Sequence, residues 1–185
     1  MTLRAVAVLV FTLSWPLQPL DDSARAWVLS QRRPELDTPM RLISDGSRPF
    51  LYALAALGLV SGATGRTVVF ETLVALVPVN LLVESLKWTV GRSRPDGDSR
   101  RRNSAFPSSH AANAFAVATV IARRWRRWLI PAGFSAATLA FSRMYLDRHW
   151  LSDVTGSLLV GVAGALLGAW IVRRWRDARD AVPYA

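Results

Sequence analysis

Cysteine is absent from the 185 residues, so the chain has no disulfide framework, no thiolate-ligated zinc and no cysteine nucleophile of the kind some phosphatases use. Lysine occurs once and histidine twice, although Lys and Arg together number 23 against 13 acidic residues. The net charge of +10 is therefore almost entirely arginine, and a pI near 11.5 directs attention to nucleic acid or an anionic membrane surface. There is no Gly-rich phosphate loop of the G-x-x-x-x-G-K-[S/T] type and no H-E-x-x-H zinc motif. What the sequence has in quantity is apolar residues, 51% of the chain, with a mean hydropathy of +0.22.

These apolar residues fall in windows close to the roughly 20 residues that a bilayer crossing needs. The windows are residues 5–20, 49–65, 67–86, 104–122, 128–142 and 154–172. They predict an all-α fold, a polytopic bundle of about six transmembrane helices forming one domain over 1–185. The fifth window reaches only about 22 Å at 1.5 Å per residue, which places Arg126, Arg127 and Arg143 where they can snorkel. A cleaved signal peptide competes for the first window, but Trp15 to Pro19 is a poor cleavage context. Residues 21–47 read as a polar loop broken by Pro34 and Pro39, with a short interfacial helix carrying Ala24, Trp27, Val28 and Gln31 on one face. Arg123 to Arg127 and Arg173 to Arg179 fall on one side of a six-span arrangement with Arg4 and Arg66, which predicts a cytoplasmic side. The Arg-Trp clusters at these span ends fit that signal better than nucleic-acid binding.

The only Lys and both His residues lie between 87 and 149, in segments that the alternation brings to the opposite face. Lys87, Arg94 and Arg143 would repel one another at a bundle's water boundary unless an anion sat among them. A phosphoryl group suits them, because arginine forks bind its oxygens in pairs and lysine adds a point charge. Ser108 and Ser109 supply hydroxyls, and the break at Pro107 opens a helix whose first N–H groups face the same anion. His149 and Asp153, four apart, predict a carboxylate that fixes the imidazole tautomer and leaves the other ring nitrogen as nucleophile. His110 is then available as general acid and base, giving a phosphohistidine route without a metal or other cofactor.

Taken singly, each residue has a blander explanation. Lys87 can snorkel, the histidines can be satisfied interfacial residues, and Asp153 can cap the last helix. Arg100, Arg101 and Arg102 read as a solvated loop or a headgroup-attracting patch. Asp96 and Asp98 have D-x-D spacing but follow Arg-Pro in a loop, and Gly156, Gly161, Gly164 and Gly168 suit close helix packing.

Read together, K-x6-R-P over Lys87 to Pro95, P-S-S-H over Pro107 to His110 and S-R-x5-H-x3-D over Ser142 to Asp153 resemble the phosphatidic acid phosphatase type 2 (PAP2) and vanadium haloperoxidase superfamily. The resemblance covers 87–153, about a third of the chain. It implies a helical fold and metal-free hydrolysis of a lipid phosphomonoester or diphosphate, such as a polyprenyl phosphate, phosphatidate or phosphatidylglycerophosphate. Lys87, Arg94, Ser108, Ser109 and Arg143 are implied as phosphate ligands, His110 as acid and base, His149 as nucleophile and Asp153 as its partner. The family usually has P-S-G-H, and Ser109 stands at the Gly; a Ser keeps the N–H that meets the anion, but its Cβ limits close approach. The excess of Arg over Lys points to a bacterium, and the span alternation to a site on the extracytoplasmic face of its cell membrane, with lipid phosphate and bilayer as partners and no nucleic acid. A non-catalytic protein that binds or moves anionic lipid, and a vanadate-dependent haloperoxidase, are the competing functions.

Overall fold

The computed structural model describes residues 3–100 and 103–181, with the side chains of 3–15, 50 and 180 outside that description. Among the described residues six α-helices follow in order: α1 (Leu3–Ser30), α2 (Pro34–Val60), α3 (Gly62–Val90), α4 (Ser109–Arg124), α5 (Leu129–Tyr145) and α6 (Leu151–Asp180), with a short 3-10 turn, Arg126–Trp128, before α5. Among the described residues there is no strand. By length and composition two helices can cross a bilayer, Gly62–Val90 and Leu151–Arg179, with mean hydropathies of 1.8 and 1.9 over their most apolar windows.

The polar loop expected over 21–47 is not there. Helix α1 continues to Ser30, α2 begins at Pro34, and Pro16, Pro19, Pro39 and Pro49 all lie inside helices. Pro34 sits in the first turn of α2, where its missing N–H costs nothing. The other four each remove one backbone hydrogen bond from a helix interior. The face expected of a short helix is split within α1: Val28 is buried while Trp27 is exposed, and Gln31 lies past the helix end.

Helix α4 is central, packed by α3, α5 and α6. Its stripe of Ala112, Ala116 and Val120 meets Ala75, Val79 and Val83 of α3 and Ala165 of α6. Both stripes repeat every four residues, the spacing of ridges that interlock between helices. The α6 glycines make the approach possible. A Cβ on Gly161 would lie 2.4 Å from the Ala112 carbonyl oxygen, and one on Gly168 would lie 2.7 Å from Ala75 Cα. Large apolar side chains point the other way, with Ile130 81% and Phe134 73% exposed. Small residues inside and large apolar ones outside are the arrangement of a bundle whose solvent is lipid. Within the bundle Asn80 and Asn113 exchange side-chain hydrogen bonds at 3.1 and 3.3 Å, which satisfies both amides between α3 and α4.

Candidate active site

The C-terminal ends of α3 and α5 and the N-terminal ends of α4 and α6 come to one face, joined by the 91–108 and 146–150 segments. Gly91 ends α3 in the left-handed region at φ 60°, a conformation that favours glycine, and so turns the chain into the segment bearing Arg92 and Arg94. Ser108 caps α4, its fully buried hydroxyl facing the Ala111 N–H, while its own N–H donates to Ser157 Oγ at 2.8 Å. The first N–H groups of α4 have no carbonyl within the helix to meet, which leaves a local positive end beside Ser109 and His110.

Lys87 Nζ lies 2.6 Å from Ser109 Oγ and 3.1 Å from Glu84 Oε1. The serine standing at the family's glycine position therefore has an assignment in this chain: its hydroxyl holds the lysine. Arg143 is 8% exposed; its guanidinium donates to Ser44 Oγ of α2, and its Nε is buried with no hydrogen-bond partner among the described residues. Arg94 donates through Nε to the Asn103 carbonyl at 2.8 Å, and burial holds its guanidinium below the ordinary range. Arg143, Arg94 and Asp153 all bear electrostatically on His149, and His149 bears on His110. A buried donor with no acceptor beside a second desolvated arginine is a place for an anion.

His149 differs from expectation in an instructive way. It precedes α6, and its Nδ1 lies 2.7 Å from the Ala105 carbonyl oxygen but 3.7 Å from Asp153 Oδ2. A carbonyl only accepts, so Nδ1 carries the proton and Nε2 keeps its lone pair. The tautomer is thus fixed by a backbone group and not by the carboxylate. Burial pushes His149 below the ordinary imidazole value; Asp153 opposes that shift, while Arg143 and Arg94 add to it. Asp153 instead takes the Trp150 N–H on Oδ2 at 2.8 Å, the carboxylate half of a capping box, and the Arg92 guanidinium on Oδ1 at 2.8 Å.

Arg92, Asp21, Ser44, Ser157 and the Ala105 carbonyl, all at this face, escaped the sequence reading. Arg92 stood inside the K-x6-R-P stretch as a spacer, and Asp21 was assigned to a loop. Asp96 and Asp98 are structural, bonding Arg148 at 2.9 Å and Arg100 at 2.7 Å, and Arg100 is exposed as the solvated-loop reading expected. Arg101 and Arg102 lie outside the described residues.

From Ser109 and His110 an apolar groove of about 710 Å3 runs between α2, α4 and α5. Arg48 lines its site end, and Ile121 and Trp128 its far end. Along α4 that is 11 residues, about 16 Å at the helical rise.

The model of the PAP2 superfamily matches residues 50–177. A lipid A 1-phosphatase from Porphyromonas gingivalis is 37% identical over 94 residues, which is 49% of this chain and 20% of that protein. The chain thus aligns with about a fifth of that relative's length. Two solved structures share the fold, each with a TM-score of 0.71. The Aquifex aeolicus LpxE crystal structure is 21% identical over 81% of this chain and 94% of that one. A transmembrane PAP2-type phosphatidylglycerolphosphate phosphatase from Bacillus subtilis is 22% identical over 94% and 98%.

Proposed function

The chain belongs to the PAP2 superfamily, and on that premise we propose that it is an integral-membrane lipid phosphate phosphatase working through a phosphohistidine. What supports the reading most is two features on one face. The buried, incompletely satisfied Arg143 and the free Nε2 of His149 lie at the same face as the polar end of an apolar groove. A phosphate suits the first and a hydrocarbon chain the second, so a molecule carrying both fits.

In this reading Lys87, Arg94, Arg143, Ser108 and the N–H groups at Ser109 hold the phosphoryl oxygens. His149 Nε2 attacks phosphorus, the bond to the leaving oxygen breaks, and His110 donates a proton to that oxygen. His110 then takes a proton from water, whose oxygen attacks phosphorus and breaks the N–P bond, releasing phosphate. The cations stabilise charge on the equatorial oxygens as it develops. Asp153 acts on His149 through its field. The reading takes the chain to make six spans, with Arg123 to Arg127 and Arg173 to Arg179 on the cytoplasmic side and this chemistry on the extracytoplasmic face.

The test is phosphate release, in detergent with excess chelator, from phosphatidate, phosphatidylglycerophosphate, lipid A and polyprenyl mono- and diphosphates, beside His149→Ala. Chelator-resistant release that disappears in the variant supports the reading, and the preferred lipid names the substrate. Lipid binding without release by the folded wild type would favour an anionic-lipid carrier. A reporter fused after Arg179 checks the orientation, which fails if the reporter is extracytoplasmic.

A further inference from the structure

Arg92 is the most heavily bonded side chain at the site. Nη1 donates to Asp153 Oδ1 at 2.8 Å and Ser152 Oγ at 2.6 Å. Nη2 donates to Asp21 Oδ2 at 2.7 Å and Gln18 Oε1 at 3.3 Å, and the guanidinium lies 5.4 Å from the centre of the Trp150 ring. Asp21 reaches in from α1, is 1% exposed, and also takes the N–H and hydroxyl of Ser152 at 2.8 and 2.6 Å. The Arg92 backbone carries a second connection: its carbonyl accepts the Ala105 N–H at 2.8 Å.

One residue therefore grips both neighbours of the His149 imidazole. Its carbonyl holds the N–H of Ala105, the residue whose carbonyl fixes Nδ1, and its guanidinium anchors the carboxylate standing 3.7 Å from that nitrogen. We propose that Arg92, held by Asp21, is a positioning residue for the hydrolysis. It keeps Asp153 off Nδ1, so that the Ala105 carbonyl sets the tautomer and the carboxylate acts on the imidazole only through its field. The inference rests on the reading of His149 as nucleophile.

The charges make the idea specific. His149 faces Asp153 from α6, Arg143 from α5, His110 from α4 and Arg94 from the 91–108 segment, while Lys87 of α3 reaches only as far as Ser109. Asp153 and, behind it, Asp21 are two buried carboxylates that share the one Arg92 guanidinium. Without Arg92, Asp153 keeps only the Trp150 N–H on Oδ2; its Oδ1 is released, and its uncompensated charge favours the imidazolium. Without the charge of Asp21, Arg92 serves Asp153 alone and shields it more completely. The two substitutions thus displace the acid limb of activity in opposite directions, which loss of packing alone would not do. A lysine has a point charge and no fork to span two carboxylates, so it replaces Arg92 in part.

The experiment measures kcat and KM against pH for the wild type, Arg92→Gln, Arg92→Lys, Asp21→Asn, the Asp21→Asn/Arg92→Gln double variant and His149→Ala, per folded molecule in detergent. The probe is phosphatidate, or the member of the lipid panel that the wild type hydrolyses fastest. Arg92→Gln should lower kcat at least about tenfold with little change in KM and move the acid limb to higher pH. Asp21→Asn should move it to lower pH, and Arg92→Lys should recover part of kcat. The double variant removes one charge of each sign and carries the comparison where Arg92→Gln alone does not fold. Wild-type kcat and pH profile in Arg92→Gln or in the double variant, with His149→Ala inactive, overturns the role of Arg92 alone. Wild-type turnover in His149→Ala overturns the nucleophile reading and the positioning role with it.

Discussion

The His149 Nδ1 is 2.7 Å from the Ala105 carbonyl oxygen, a full ångström closer than it is to Asp153. The tautomer and the carboxylate are thus separate controls on one imidazole. His149→Ala removes the nucleophile and should lower kcat at least about a thousandfold. Asp153→Asn leaves the Ala105 contact in place and should cost less, about a hundredfold. Steady-state kinetics on the same lipid order the two, and a larger loss in Asp153→Asn would contradict the separation.

The pH dependence follows from the burial of His149. The nucleophile must be neutral, and burial holds its value below the ordinary imidazole figure of about 6.5. The acid limb of kcat/KM should therefore lie below that figure, and Asp153→Asn, which removes an influence that raises it, should lower it further. Stability has the same sign. The unfolded imidazole takes its proton near 6.5 and the folded one only at lower pH, so stability is lost as pH falls between the two values. Thermal unfolding between pH 7 and 5 reads the second effect, and a kcat/KM profile the first.

The groove makes a separable prediction. Ala114 lines it beyond His110, and Ala114→Phe should fill it without touching the phosphate ligands. Hydrolysis of a long-chain lipid phosphate should fall about tenfold, while that of a short water-soluble phosphate ester stays near wild type. Equal loss on both substrates would mean that the groove does not hold the chain.

Glycines in the bundle divide by what surrounds them. Gly161→Val would drive side-chain atoms into the Ala112 carbonyl and should destabilise by about 1–3 kcal/mol. Gly133 in α5 has nothing within 4 Å of a built Cβ, so Gly133→Ala should stabilise by up to about 1 kcal/mol through helix propensity. Melting temperatures in one detergent give both signs.

The three motifs were legible because each puts several rare residue types at helix ends. Helix α6 and its packing glycines were legible because long apolar runs punctuated by small residues have few other uses. The proline-bearing stretch of α1 and α2 was not. Prolines are loop signals in water, and nothing in the sequence around Asp21 marks it as a buried residue that α1 carries against Arg92 and Ser152. The roles of Ala105 and Ser157 were beyond reach for another reason: one acts through its carbonyl, the other by receiving the N–H of Ser108, and neither leaves a residue-type signature.

The seams between α3, α4 and α6 have a further consequence. Where Gly161, Gly164 and Gly168 meet Ala112, Val79 and Ala75, the distance between helices is set by side chains that are missing. Such a contact can be spoiled by almost any change and improved by almost none. The outward faces bearing Ile130 and Phe134 meet no such limit. The molecule's freedom to vary is therefore radial, wide at the lipid boundary and nearly nil along the axis that carries Ser108 and His110.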